Sequence, residues 1–172
     1  TAKETDYLNN VIGKDKLSAY TANIAFAGFT APKILWVKEN EPENFAKIAK
    51  IMLPKDYLAY KLSGTFCTDV SDASGMLLFD VEHKCWSKEM MEICHVKESQ
   101  LAKIFESYEA VGTLRPQIAA ALGLPETVKV IAGAGDNAAA AVGTGTVGDG
   151  TCNLSLGTSG TIFIASEKFG VD

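Results

Sequence analysis

The sequence predicts an α/β protein, and three observations carry this prediction. The first half has the pattern of helices joined by short loops, residues 128–142 read as a strand, a glycine turn and a helix, and two β-type runs close the chain. Of the 172 residues, 47% are hydrophobic and 22% are charged, which is ordinary for a globular protein. We therefore expect a packed core in one domain or a little more.

Cap and stop signals place the helices of the first half. The tripeptide Thr30-Ala31-Pro32 gives a hydroxyl cap and an early proline to a helix over 33–38. This helix is apolar on nearly all sides, so we expect it to be buried on two of them. Other start and stop residues predict helices over 15–20, 43–50, 54–62 and 114–122, and one capped by Ser87.

The character of the sequence changes after Pro125. Residues 128–132 form a β-branched run typical of a buried strand, a glycine turn follows, and an Ala-rich helix starts at Ala138. Residues 151–156 and 161–165 are β-type runs around a Gly-Thr-Ser-Gly turn, which predicts a hairpin. The glycine-rich stretch before this hairpin predicts a boundary between a first domain, 1–147, and a second, 148–172.

The charge balance indicates which partners are excluded, and the cysteines indicate the cellular compartment. Sixteen lysine and arginine residues against 21 aspartate and glutamate residues give a net charge of −5. Such a field repels phosphate-rich polymers and anionic membranes, so we expect neither nucleic acid nor a membrane as a partner. The four cysteines form no CxxC pair and no leader opens the chain, which favours a cytoplasmic location.

Asp136 is the main candidate for catalysis. Residues 133–138, Gly-Ala-Gly-Asp-Asn-Ala, satisfy a loose dinucleotide pattern, but a carboxylate about 4 Å from a pyrophosphate costs roughly 1 to 4 kcal/mol. A nicotinamide cofactor is therefore disfavoured. Two compatible interpretations are left: Asp136 caps the following helix, or it accepts a proton from a substrate hydroxyl that Asn137 helps to orient.

The turn of the predicted hairpin and the metal patterns give weaker signals. Residues 157–160 offer two glycines, two hydroxyls and several N–H groups, which suit either a phosphate cradle or a bare tight turn.

The acidic stretch 69–80 fails as a calcium loop, because Gly75 falls at its seventh position and Asp80 at its last. Histidine and cysteine spacings match no common zinc site, so no metal ligands are predicted.

Several stretches resemble the FGGY family of carbohydrate kinases. Residues 28–40, GFTAPKILWVKEN, resemble the first signature of that family, and 133–139, GAGDNAA, resemble the segment with its catalytic aspartate. Residues 154–160, LSLGTSG, are similar to its second phosphate hairpin. The stretches LPKDYL at 53–58 and SDASG at 71–75 are closest to the branch that phosphorylates D-xylulose. The resemblance covers essentially the whole chain, in the right order.

This resemblance implies an actin-like ATPase architecture, in which two ribonuclease-H-like α/β domains close on a cleft. It implies that Asp136 is the base and that Asn137 and Gly28 lie near the sugar. ATP and Mg²⁺ are the implied cofactors, with Mg²⁺ bridging the phosphates. The residues implied to contact the ATP phosphates are Gly157, Thr158, Ser159 and Gly160.

The departures from the family pattern also lead to expectations. The opening D-x-G-T hairpin and the Met-His pair of the D-xylulose branch are absent from these 172 residues. We therefore expect the later part of the first domain followed by the opening hairpin of the second, without ATP turnover by itself. Missing opening strands would leave an open sheet edge, which predicts self-association, for example as a homodimer.

Three functions stay open at this point. The first is phosphorylation of D-xylulose by ATP to D-xylulose 5-phosphate, which Asn137 and the stretch 71–75 favour. The second is another kinase of the family, acting on glycerol, gluconate or ribulose. The third is a non-catalytic carbohydrate-binding module on the same scaffold, because a fold does not by itself imply an activity.

Overall fold

The computed structural model describes residues 1–157 and 160–171. Helices dominate the first part of the chain and short strands alternate with helices in the rest. The α-helices are α1 Ala2–Asp6, α2 Lys14–Thr21, α3 Thr30–Asn40, α4 Pro42–Ala46, α5 Pro54–Ser63, α6 Val70–Ala73, α7 Lys88–Cys94, α8 Pro116–Leu122 and α9 Asp136–Gly143. A π-helix covers Tyr7–Gly13, and 3-10 turns cover Ser74–Met76 and Glu98–Gln100.

The described strands pair into four two-stranded sheets. They are β1 Cys67–Asp69, β2 Phe79–Asp80, β3 Cys85–Trp86, β4 Lys103–Phe105, β5 Ala110–Thr113, β6 Lys129–Ile131, β7 Cys152–Leu156 and β8 Gly160–Ile164. Strands β1 and β4 are parallel, with Asp69 opposite Phe105. The pairs β2–β3, β5–β6 and β7–β8 are antiparallel. The mixed α/β content agrees with the prediction.

Several of the predicted helices have different bounds in the structure, and for two of them the structure shows the cause. Helix α4 ends at Ala46 rather than at residue 50, because the chain after it bonds to another segment: Ile51 N–H donates to the Gln100 carbonyl and the Gln100 side chain donates to the Ile48 carbonyl. Helix α8 begins at Pro116 rather than at 114, because the residues before it form β5, a strand that the sequence pattern did not predict.

Helix α3 forms at the predicted position but is longer than residues 33–38, and its predicted cap and burial are wrong. Its N-cap is Phe29, in an extended conformation, so Thr30 is the first helical residue and not a hydroxyl cap. Ile34 and Leu35 are buried in the larger core cluster, together with Leu8, Leu17, Phe79 and Met90 from neighbouring elements. Trp36 keeps 38% of its surface exposed, so the helix is buried over one broad face rather than on two sides.

A second core cluster positions the strand that leads to Asp136. Ala59 of α5, Val111 of β5, Ala119 of α8 and Val130 of β6 are buried together. Only one face of β6 is buried, because Lys129 and Ile131 are exposed, so the predicted fully buried strand is wrong in this respect. The packing fixes the carboxyl end of β6 against α5, where the glycine turn begins.

The hairpin β7–β8 forms as predicted and is bonded to the end of α9. The Asn153 side chain donates to Thr144 Oγ1 at 3.0 Å, just after the last residue of α9. Strand β8 is paired with β7 from Gly160 to Ile164. In the described part of the chain no helix has the length and apolar character needed to cross a bilayer.

Candidate active site

Asp136 is exposed at the first turn of α9, directly after β6 and the glycine turn. The N-cap of the helix is Gly135, with φ −59° and ψ 150°, and Asp136 is the first helical residue. The predicted capping role of Asp136 is therefore wrong by one residue. Its Oδ1 accepts a hydrogen bond from the Asn137 N–H at 2.8 Å, and its charge still lies at the favourable end of the helix dipole.

The glycine turn before Asp136 is held at both ends. Gly133 has a φ of +78°, which favours glycine, and its N–H donates to the Ser107 carbonyl at 3.1 Å. At the other end, the Gly135 N–H donates to Ser71 Oγ at 3.0 Å. The turn is therefore bonded to the loop after β4 and to the start of α6, far away in the sequence.

A buried carboxylate at the end of β1 organises these contacts. Asp69 has no exposed surface, and its Oδ2 accepts hydrogen bonds from the Ser71 N–H, the Ser71 hydroxyl and the Ser107 hydroxyl. Its Oδ1 lies 2.7 Å from Lys55 Nζ. Lys55 also contacts Asp56 Oδ1 at 2.9 Å and the Ala132 carbonyl at 3.4 Å. The network thus reaches the residue before the glycine turn.

The ion pair shifts the pKa values of both partners. Burial alone would raise the pKa of Asp69, but the hydrogen bonds from Lys55, Ser107 and Ser71 outweigh burial and lower it below its usual value. Burial would likewise lower the pKa of Lys55, but the bonds to Asp69 and Asp56 raise it. Both groups are therefore charged at neutral pH.

A third carboxylate adjoins the glycine turn. Burial raises the pKa of Asp72, the charge of Lys55 opposes this rise at a distance of 3.9 Å, and the charges of Asp56, Asp69 and Asp136 add to it. A Cβ added to Gly135 would lie 3.4 Å from the Cα of Asp72, so the turn packs closely on this residue. Asp72 is therefore a partly desolvated acidic group next to the candidate base.

The other predicted site residues lie in three different parts of the structure. Asn137 follows Asp136 in α9 and is exposed. Gly28 lies in the exposed turn before α3, where its carbonyl accepts a hydrogen bond from Lys33 Nζ at 2.7 Å, and no hydrogen bond among the described residues joins it to Asp136. Gly157 and Gly160 are exposed at the tip of the hairpin, and the predicted Thr158 and Ser159 lie outside the described residues.

An open cavity of about 610 Å³ lies between α9 and the hairpin. Its walls include Ala138 and Val142 of α9 and Phe163 of β8, while Asp136 is not among them. Within residues 1–157 and 160–171 no group of three or more His, Cys, Asp or Glu side chains is arranged to hold a metal ion. The acidic cluster at Asp69 is occupied by the ammonium group of Lys55.

Sequence reasoning missed Lys55, Asp69, Ser71 and Ser107 as parts of this site. The available signal was the pair of stretches 53–58 and 71–75, which were recognised only as family-like sequence. Sequence spacing could not show that these two stretches lie together, because their contacts depend on the parallel pairing of β1 with β4.

Comparisons with known proteins agree with this fold. The sequence profile of the FGGY family of carbohydrate kinases, N-terminal domain, matches residues 1–143. The xylulose kinase of Escherichia coli (strain K12) is 48% identical over 149 residues, covering 87% of this chain and 31% of that protein.

Solved structures of carbohydrate kinases also match this chain. The crystal structure of a xyloylose kinase from Brucella ovis matches with a TM-score of 0.93 at 42% identity, over 99% of this chain and 34% of that one. A gluconate kinase from Lactobacillus acidophilus matches with a TM-score of 0.87 at 25% identity, over 94% of this chain and 32% of that one.

The mixed α/β fold is that of the actin-like ATPase class to which the FGGY carbohydrate kinases belong, which confirms the predicted fold class. Within that class, the chain belongs to the FGGY family of carbohydrate kinases and corresponds to its N-terminal domain over residues 1–143. It spans about a third of the length of the relatives that it matches.

Proposed function

We propose that this chain supplies the catalytic base for ATP-dependent phosphorylation of D-xylulose to D-xylulose 5-phosphate. The proposal is supported by 48% identity to a xylulose kinase and 42% identity to the solved xyloylose kinase. The single observation that carries it is the placement of Asp136. Its carboxylate is exposed at a helix start, while the turn before it is bonded to a buried polar network.

The proposed reaction needs little covalent chemistry from the protein. The oxygen of a sugar hydroxyl attacks the γ-phosphorus of ATP, the bond from that phosphorus to the bridging oxygen of ADP breaks, and the hydroxyl proton passes to the carboxylate of Asp136. Because the transition state of phosphoryl transfer is loose, the proton is accepted late, and a modest base in the right position is sufficient. Asn137, next to Asp136, would orient the same sugar.

ATP and Mg²⁺ belong to the same proposal. The tip of the hairpin, residues 157–160, would approach the phosphates, and the glycines at its two ends permit close backbone contact. Mg²⁺ is usually held by phosphate oxygens, water and one or two carboxylates, so a cluster of protein ligands is not required. When bound, it neutralises phosphate charge.

The domain division and the assembly are also proposals. We place the boundary between the two domains at 147/148, four residues beyond the end of α9. Self-association as a homodimer and a cytoplasmic location complete the proposal, the latter supported by four free cysteines, which suit a reducing compartment.

A second candidate is another kinase of the family. Its acceptor would be glycerol, gluconate or ribulose, and the likeness to a gluconate kinase at 25% identity is the observation that supports it. Acceptor choice in such pockets depends on a few hydroxyl contacts, so one fold can serve several sugars.

A chimera tests the proposal, with this chain replacing the matching segment of the E. coli xylulose kinase. We would measure ADP release with D-xylulose, gluconate, glycerol and L-ribulose. Asp136→Asn should lower kcat by about 10² to 10⁴, the usual contribution of a general base, with the sugar KM largely kept. Asp15→Asn, which removes an exposed carboxylate from the first turn of α2, is the matched control and should leave kcat unchanged.

The outcomes of this assay distinguish the three candidate functions. Turnover of D-xylulose that Asp136→Asn loses supports both the reaction and the base. Turnover of only another acceptor keeps the mechanism and replaces the sugar. A folded chimera without turnover of any acceptor would favour the non-catalytic binding module.

A further inference from the structure

We infer that Ser71 is a positioning residue for Asp136, acting through the hydrogen bond that its hydroxyl accepts from the Gly135 N–H. The inference rests on the proposed function, because positioning has a purpose only if Asp136 takes part in the reaction. It adds a residue that lies 64 positions away in the sequence from the loop that it holds.

The orientation of the Ser71 hydroxyl is fixed by its own bonds. A serine hydroxyl has one hydrogen to donate, and this hydrogen is directed to Oδ2 of Asp69. The lone pairs of Ser71 Oγ are then free to accept, and the Gly135 N–H lies 3.0 Å away. The hydroxyl therefore links a buried carboxylate to the residue directly before Asp136.

The Asp69 carboxylate, to which Ser71 is bonded, is held in place by several contacts. Asp69 is fully buried at the end of β1, is bonded to the Ser107 hydroxyl, and lies 2.7 Å from Lys55 Nζ. Because an ion pair inside a protein is weakly screened, this carboxylate has little freedom to move. Ser71 therefore holds the turn against a fixed point of the core.

Other contacts hold the beginning of the turn and not its end. Gly133 is held by the Ser107 carbonyl, and the Ala132 carbonyl accepts from Lys55. Among the hydrogen bonds of the described residues, the one to Ser71 is the side-chain bond that reaches Gly135. Loss of that bond would free the last residue before α9 while the first part of the turn stays in place.

Kinetics in the chimera provide the first test. A misplacement of a reacting group by about 1 Å can cost 10²-fold, so Ser71→Ala should lower kcat by about 10- to 100-fold. The sugar KM should change by less than about threefold, because the substrate contacts themselves are kept. Ser71→Thr keeps the hydroxyl and should restore most of the rate.

A serine outside the site offers a matched control. The Ser63 hydroxyl donates to the Ala59 carbonyl within α5, and its side chain has no hydrogen bond to the glycine turn. Ser63→Ala should leave kcat near that of the parent. If Ser71→Ala fails to fold, Ser71→Cys replaces it, since a thiol is a weak acceptor and should also lower kcat.

Amide exchange provides the second test and does not depend on activity. In Ser71→Ala the amide of Gly135 should exchange faster, while amides in β1 and β4 keep their protection. An unchanged kcat together with an unchanged Gly135 amide would overturn the inference. If Asp136→Asn keeps full activity, the proposed base is wrong, and the exchange result still decides whether Ser71 orders the turn.

Discussion

Lys55 Nζ lies 2.7 Å from Asp69 Oδ1, and the side chain of Asp69 has no exposed surface. The same ammonium group lies 2.9 Å from Asp56 Oδ1, on a side chain that is 2% exposed. One partly buried cation thus forms ion pairs with two buried carboxylates. This arrangement joins α5 to the carboxyl end of β1 and lies directly beneath the glycine turn.

We therefore expect Lys55→Met to be strongly destabilising. Removing one partner of a buried ion pair leaves an uncompensated charge and typically costs about 3 to 5 kcal/mol. Urea denaturation should show this loss in the free energy of unfolding. Lys3→Met is the control, because it removes an ion pair with Glu39 that is exposed at the surface, and it should have almost no effect. Equal effects of both substitutions would contradict the assigned role of Lys55.

The destabilisation by Lys55→Met should depend on pH. The pKa of Asp69 in the folded chain is lowered, so its contribution to stability is complete above the ordinary carboxyl pKa and is lost as the pH falls through the folded value. In the variant this carboxylate has lost its cation, and acid relieves the unpaired charge. The difference between parent and variant in the free energy of unfolding should be largest at neutral pH and should shrink below about pH 4. A difference that stays constant on acidification would contradict this prediction.

In contrast to Lys55→Met, Asp72→Asn should stabilise the folded chain at neutral pH. Burial, aided by the charges of Asp56, Asp69 and Asp136, raises the pKa of Asp72 in the folded chain, so the folded state binds this proton more tightly than the unfolded state. Stability contributed by this group is present at low pH and declines as the pH rises above the ordinary carboxyl value. A neutral amide should therefore raise Tm at pH 7 and have little effect near pH 3, as thermal unfolding at both pH values would show. A lower Tm at pH 7 would mean that Asp72 makes a favourable contact in its charged form.

The two glycines of the turn should respond differently to alanine. Gly133 has a φ of +78°, and alanine in that region costs about 1 to 2 kcal/mol even though its Cβ would meet only Lys55 Cδ, at an ordinary 3.5 Å. Gly135 has a φ of −59°, which alanine adopts freely, so Gly135→Ala should cost less than about 1 kcal/mol. Chemical denaturation of both variants measures the two costs. A larger loss for Gly135→Ala would show that the close approach of Asp72 dominates over backbone strain.

The hairpin should promote self-association. One face of the β7–β8 pair carries four exposed apolar side chains: Leu154, Leu156, Ile162 and Ile164. Such a face, on a two-stranded sheet with open edges, favours contact with another chain. Sizing chromatography of the 172-residue chain should show a larger species at high concentration, and Ile162→Lys should reduce it more than Thr161→Lys on the opposite face. A monodisperse monomer at high concentration would contradict the prediction.

Local signals were sufficient for the elements around Asp136. The β-branched run at 128–132, the glycine turn and the Ala-rich segment are contiguous, and the structure contains β6, the turn and α9 at these positions. The hairpin was predictable for the same reason, because its turn and both strands are adjacent in the sequence. The predicted cap is wrong by one residue, since Gly135 and Asp136 are both acceptable N-caps and the pattern does not distinguish them. The predicted start of the helix at Ala138 and the predicted burial of both faces of β6 are also wrong.

Non-local structure could not be predicted in this way. Strands β1 and β4 have three residues each and pair in parallel across a long connection, so neither has a periodic pattern of its own. The contacts of Ser71 and Lys55 with the glycine turn depend on that pairing. The part of the candidate site that holds Asp136 in place was therefore accessible only from the fold.

The bond between Gly135 and Ser71 also bears on how the protein folds. Its two residues are 64 positions apart, and closing so long a loop loses chain entropy before it gains contacts. We expect the turn to become ordered after β1, β4 and α5 have docked, late on the folding route. Substitutions in the turn should then accelerate unfolding and leave the folding rate nearly unchanged. The candidate base would acquire its position only when the rest of this domain is already assembled.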